Sequence, residues 1–154
     1  MVHAVTRQVV DAFYDAYATG DRDKLETMLH DDVVWSIHGP VAVMRYCGER
    51  HGKAQVLELA AHILPSVLAD MKIVHQSVVL SGDEVATLNR LTARRRSDGR
   101  SIGYRFSHFL RFKDGKVIET LSIIDTYDAA EQMLGHPLAV RDETTPGADN
   151  LVML

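Results

Sequence analysis

With 154 residues, 46% of them hydrophobic and 25% charged, the chain has the composition of one ordinary globular domain whose core needs neither disulfide nor metal staples. Its net charge of -4 excludes a general affinity for nucleic-acid phosphates, which rests on clustered Lys and Arg, and favours a small apolar or weakly charged partner. The single cysteine, Cys47, excludes an internal disulfide; no apolar run approaches the roughly 20 residues of a membrane-crossing helix, and the amino-terminal stretch lacks the pattern of a secretory signal, so a cytoplasmic protein is expected.

Val5, Val9, Ala12, Phe13, Ala16 and Tyr17 recur at steps of three and four and predict an amphipathic helix over 5–18, ended by Thr19-Gly20. Asp21 is placed to cap a short second helix whose buried edge is Leu25, Met28 and Leu29. "DDVVWSIHGP" reads as a strand stopped by Gly39-Pro40, and "MRYCGE" as a second, shorter strand. A third helix starts near Lys53 on a face of Val56, Leu57, Ala60, Ala61 and Leu64; Pro65 must end it or open a further turn, because proline lacks the interior amide donor.

Four strands follow, over 72–80, 84–96, 101–113 and 116–127, separated by "SGDE", "SDGR" and "KDGK". Asp-Gly between strand-like runs is a strong hairpin signal, so these strands form an antiparallel meander. The result is an α+β fold with three helices of the N-terminal half covering one face of a curved, mainly antiparallel sheet. One domain is expected over 1–138, with 139–154 a tail that is flexible or docked on a partner subunit. Apolar residues at Ile73, Val79, Leu88 and Ile118 hint at pairing through the outer sheet face.

Within "YRFSHFLRF", Tyr104, Phe106, Leu110 and Phe112 alternate, and His108 completes their face. An ionisable ring on that face marks either a ligand pocket or a core histidine satisfied by a carbonyl or a tyrosine hydroxyl. Eight histidines invite a metal reading, but no His-x-His or His-Glu-x-x-His pair occurs, so no metal site is expected. No Gly-x-Ser-x-Gly elbow and no phosphate-binding glycine loop is present. "RRRSDGR" reads as a solvated hairpin tip, with an anion grip as the alternative.

The stretches "AYATGDRDKLETMLHDDVVW", "GERHGKAQVLELAAHI" and "FLRFKDGKVIETLSIIDTYD" resemble the first-helix end and first strand, the entry to the third helix, and the last hairpin of the nuclear transport factor 2-like superfamily. That superfamily includes ketosteroid isomerase, SnoaL-like cyclases, scytalone dehydratase and limonene epoxide hydrolase. The resemblance implies a cone of helices and curved sheet around an apolar pocket, commonly in a homodimer, working without a cofactor. It implies catalytic roles for His38, His108 and Asp125: His108 falls where ketosteroid isomerase keeps its oxyanion-holding acid, His38 on or beside its base, and Asp125 where many SnoaL-like chains carry a pocket acid. The oxyanion tyrosine falls on Phe13, so Tyr14, Tyr17 or His108 must supply that donor.

Phe13, Tyr17, Trp35, Tyr104 and Phe106 are the expected substrate-binding wall, although core packing alone accounts for each of them. His38 reads equally as a strand-end residue, and Asp125 as the cap of a following turn. Only Asp125 with Arg90 or Arg105 suggests part of the epoxide hydrolase set. The resulting expectation is acid–base proton transfer (isomerase, cyclase or lyase) on an apolar carbonyl compound; the alternative is a non-catalytic ligand-binding or dimerisation module.

Overall fold

The computed structural model describes residues 4–140. Helix α1 (Arg7–Thr19) is capped by the Thr6 hydroxyl, which accepts from the Val9 amide, and buries Val10, Phe13, Tyr14, Ala16 and Tyr17. It ends at Gly20, whose φ of 67° suits glycine and where a Cβ would lie 3.2 Å from the Ala60 carbonyl oxygen. Asp21 caps α2 (Arg22–Met28) through the Lys24 amide, as expected.

The six strands are β1 (Leu29–His38), β2 (Gly48–His51), β3 (Leu68–Ser81), β4 (Glu84–Arg95), β5 (Ser101–Lys113) and β6 (Lys116–Ile124), in the spatial order β2-β1-β6-β5-β4-β3. Every neighbouring pair is antiparallel except β1 and β6, which run parallel. The fold is α+β, with α1 packed against the inner face of this mixed sheet. Period-two alternation places Val85, Thr87, Asn89, Leu91 and Ala93 of β4 and Tyr104, Phe106, His108, Leu110 and Phe112 of β5 inward.

The third helical stretch is one rod in three parts: α3 (Lys53–Glu58), a π-helical segment (Leu59–Ile63) and α4 (Leu64–Val67). Pro65 opens a further turn. Its ring and missing donor oppose a regular α-helix across the Ala61 carbonyl, and the turn before it widens.

Three local expectations are corrected. Met44 to Cys47 is a turn that buries Met44, Tyr46 and Cys47, and the short strand starts only at Gly48. β6 stops at Ile124, and Asp125 is the N-cap residue of a last helix, α5 (Thr126–Leu134), so Tyr127 is helical. Ile73 packs against the core and Val74 is exposed, while Val79 faces outward, because a bulge between His75 and Ser77 shifts the alternation of β3 by one residue. Residues 141–154, most of the expected tail, lie outside the described residues. No helix among the described residues is long and apolar enough to cross a membrane.

Candidate functional site

Cross-strand register assembles the polar part of the interior. On the inner face, Ile37, Ser122, His108 and Thr87 form one row across β1, β6, β5 and β4; Ile124, Phe106, Asn89 and His75 form the next, across β6, β5, β4 and β3. Thr87 and Asn89 are two apart on β4 and therefore neighbours on one face. Tyr14, one turn from Val10 and Tyr17 on the buried side of α1, is lowered onto both rows.

A continuous set of short hydrogen bonds results. The Tyr14 hydroxyl lies 2.8 Å from His108 Nδ1 and 2.7 Å from Thr87 Oγ1; Asn89 Nδ2 donates to Thr87 Oγ1 at 2.7 Å; His75 Nδ1 lies 2.7 Å from Asn89 Oδ1. His75 Nε2 is 3.8 Å from the Asp11 carboxylate, at the edge of the helix. Phe13, Trp35 and Phe106 surround the His108 ring with centroid separations of 6.4, 5.8 and 6.0 Å.

His108 is 1% exposed, and its Nε2 has no hydrogen-bond partner; the buried Trp35 Nε1 and Thr120 Oγ1 also lack one. Burial in this aromatic shell, followed by repulsion from His75, lowers the His108 pKa to about 3, so the ring is neutral at ordinary pH. Burial likewise raises the phenols of Tyr14, Tyr17, Tyr46 and Tyr104, which keeps them protonated hydrogen-bond donors.

A second polar cluster lies further along β5. The Tyr46 and Tyr104 hydroxyls meet at 2.8 Å, and with Tyr17, Phe106 and Ser122 they line a hollow of about 20 Å³. That is room for one water molecule, which needs roughly 10–15 Å³ on the same measure. Outside it, a surface groove of about 340 Å³ runs past Gly20, Ala60 and Pro65, and Tyr17 and Leu64 line both spaces. Arg50 holds the loop that carries Tyr46, donating to the carbonyls of Arg45, Tyr46 and Cys47.

Of the three expected catalytic residues, only His108 lies in the interior. His38 is exposed, since Trp35 and Ile37 occupy the inward positions of β1 and alternation turns position 38 outward. Asp125 is exposed as well; its amide donates to the Arg105 carbonyl, and its side chain makes no capping bond. The structure therefore does not bring His38 and Asp125 together with His108.

Phe13, Tyr17, Trp35, Tyr104 and Phe106 are all buried, and Tyr17, Tyr104 and Phe106 border the hollow. Arg90 and Arg105 face each other across β4 and β5 on the exposed side. At the arginine-rich hairpin, Arg95 and Arg100 pair with Asp98, holding its carboxyl down to about 2; Arg94 pairs with Asp70, and Arg96 donates to the Pro65 carbonyl. Among the described residues, no three His, Cys, Asp or Glu side chains form a candidate metal-ligand group.

Tyr46, Thr87, Asn89, His75 and Ser122 were not singled out from the sequence. The β4 pattern did hold a signal, because Thr87 and Asn89 interrupt an otherwise apolar inward face.

A curved mixed sheet, closed on its inner side by α1 and enclosing a histidine and tyrosines, defines an α+β cone of the nuclear transport factor 2-like kind. The comparisons agree: the chain belongs to the SnoaL-like domain family, whose model matches residues 10–120. The Putative Isomerase from Rhodopseudomonas palustris is 30% identical over 82% of this chain and 93% of that one, with a TM-score of 0.72. An ntf2-like protein of unknown function from Burkholderia pseudomallei is 23% identical over 86% and 96% (TM-score 0.70), and an M. tuberculosis LEH-like epoxide hydrolase is 18% identical over 83% and 88% (TM-score 0.67); these two share the fold. No curated protein matches the chain.

Proposed function

We propose that the protein is a cofactor-independent small-molecule enzyme of the SnoaL-like or isomerase-like kind, moving a proton on an apolar, carbonyl-bearing compound taken into the cone. One observation carries the reading: the enclosed His108 has Nδ1 held by Tyr14 and Nε2 left without a protein partner. An unsatisfied buried polar atom costs about 1–3 kcal/mol, and a substrate atom placed there recovers it. Because burial keeps the ring neutral, His108 acts as a hydrogen-bonding group and not as a standing cation. With His38 and Asp125 exposed, the interior tyrosine hydroxyls are the candidate partners in proton transfer: Tyr14, bonded to His108, and the Tyr46–Tyr104 pair beside the hollow.

Entry of a ring-sized molecule requires Tyr17 and Leu64 to give way toward the groove they share with the hollow. The reading treats 1–138 as one cytoplasmic domain. It also pairs two copies through the outer sheet face, where Val79, Ala86, Phe109 and Leu121 are cross-strand neighbours in one apolar row and Leu88 and Ile123 flank it.

The test is turnover of a panel of cyclic ketones and enones by wild type and His108→Phe, with circular dichroism as the fold check. A loss of roughly 100-fold or more is expected when a buried hydrogen-bonding group at the reacting oxygen is removed. Full activity in the variant overturns the role given to His108. The alternative, a non-catalytic binding module, draws on the exposure of His38 and Asp125. It is supported if native mass spectrometry finds a retained apolar molecule that no incubation converts.

A further inference from the structure

We infer that Asn89, Thr87 and Tyr14 are positioning residues that place the single proton of the neutral His108 ring on Nε2, making that nitrogen a donor toward a substrate oxygen. The order of protons is set by one amide. Asn89 presents Oδ1 to His75 Nδ1 and Nδ2 to Thr87 Oγ1, both at 2.7 Å. A carboxamide oxygen only accepts, so His75 Nδ1 carries a hydrogen; a carboxamide nitrogen only donates, so Thr87 Oγ1 accepts.

Thr87 has one hydrogen left to give. Its own choices are the Tyr14 hydroxyl at 2.7 Å and the His108 carbonyl at a long 3.5 Å, and the short contact takes it. Tyr14, having accepted, donates its hydrogen to His108 Nδ1 at 2.8 Å. A neutral imidazole whose Nδ1 accepts must carry its proton on Nε2, the atom that has no protein partner.

The consequence for the proposed site is chemical selectivity. A fixed Nε2–H recognises a hydrogen-bond acceptor, such as a carbonyl or enolate oxygen, and polarises it. It does not remove a proton, so His108 holds the substrate oxygen and a different group is the base. Burial of Tyr14, Thr87, Asn89 and His108 supports a single proton arrangement, because water cannot compete for them; only His75, at the outer end of the chain, is partly exposed.

The inference rests on His108 as the substrate-facing group of the proposed site, but its readout needs no substrate. In full-length protein labelled with 15N-histidine, the imidazole correlation pattern is expected to show His108 protonated on Nε2 and bare on Nδ1. Asn89→Asp then reverses the chain at nearly constant volume. An ionised carboxylate has no hydrogen to give, so Thr87 donates to it, Tyr14 donates to Thr87, and Tyr14 accepts from His108 Nδ1.

The expected result is a move of the ring proton from Nε2 to Nδ1, with the ionisation of the introduced carboxyl followed by its own 13C shift across a pH series. While that carboxyl is protonated it still donates, and the wild-type pattern must persist until it ionises. A wild-type ring protonated on Nδ1 overturns the inference, as does an Nε2–H pattern that survives ionisation of the introduced carboxylate. Failure of His108→Phe to affect turnover is a separate result, which removes the functional reading and leaves the tautomer standing.

Discussion

The neutral state of His108 has a thermodynamic signature that can be worked out from its surroundings. In the unfolded chain the ring titrates near its ordinary 6.5, whereas burial lowers it to about 3 in the fold, so between those values the unfolded state binds a proton that the folded state refuses. Stability associated with this group is therefore fully present above about pH 6.5 and is lost as pH falls toward 3, by up to about 1.4 kcal/mol per pH unit. Relative to about pH 7.5, wild type should have lost about 1.4 kcal/mol at pH 5.5 and about 2.7 kcal/mol at pH 4.5 through His108 alone. His108→Phe keeps an aromatic ring in the shell formed by Phe13, Trp35 and Phe106 and has nothing to protonate.

The variant also loses the bond to Tyr14, a pH-independent cost of about 1 kcal/mol. Urea unfolding of both proteins at these three pH values, followed by the fluorescence of the single tryptophan, Trp35, gives the comparison. Titrating groups away from His108 contribute equally to the two curves. The gap between them should close as the solution is acidified, and the variant should overtake wild type below about pH 5.8. Stability profiles that stay parallel from neutral to acid pH refute the account of His108 as a buried neutral base-poor ring.

Three further outcomes are expected. Leu64→Ala removes the side chain that separates groove from hollow, so it should lower the melting temperature, by the equivalent of about 2–4 kcal/mol, and let phenol or cyclohexanone raise that temperature where wild type responds less; no added ligand effect removes Leu64 as the gate. Phe109→Glu puts a charge into the outer apolar row and should convert the proposed dimer to a monomer in light-scattering chromatography while circular dichroism stays unchanged; a dimer that survives places its interface elsewhere. Cys47, buried with its thiol pushed up to about 11, should react with a thiol reagent only at the rate of unfolding, and rapid labelling of native protein at neutral pH counts against the packing of Cys47 beside Gly39.

Much of the fold was legible because its signals are local. The step of three and four in α1, the Asp21 cap and the turn-forming Asp-Gly pairs fix elements without reference to the rest of the chain, and the bounds of β5 were read as they are observed. The end of β6 was read too far because Thr126 and Tyr127 have strand-like side chains, while the backbone turns at Asp125 into a helix whose Ala129 and Ala130 are buried. Within the site, alternation identified His108 as inward, and the same alternation around Trp35 and Ile37 turned His38 outward; family position had argued otherwise.

The partners of His108 were harder to see. That Asn89 lies opposite Phe106, and Thr87 opposite His108, depends on the register of β4 against β5, and the meeting of Tyr14 with both depends on where α1 crosses the sheet. The Tyr46–Tyr104 pair joins residues in a turn and a strand whose contact no short-range pattern announces.

The one parallel neighbour pair also bears on how the molecule is made. β1 is made before β6, with only the four-residue β2 to pair with, and Trp35 and Ile37 gain their second sheet neighbour when β6 has been translated and docks alongside. Such sequence-distant pairing slows folding, so closure of β1 onto β6 should govern the refolding rate, and nascent chains that stop short of β6 should rely on chaperones to cover that apolar edge.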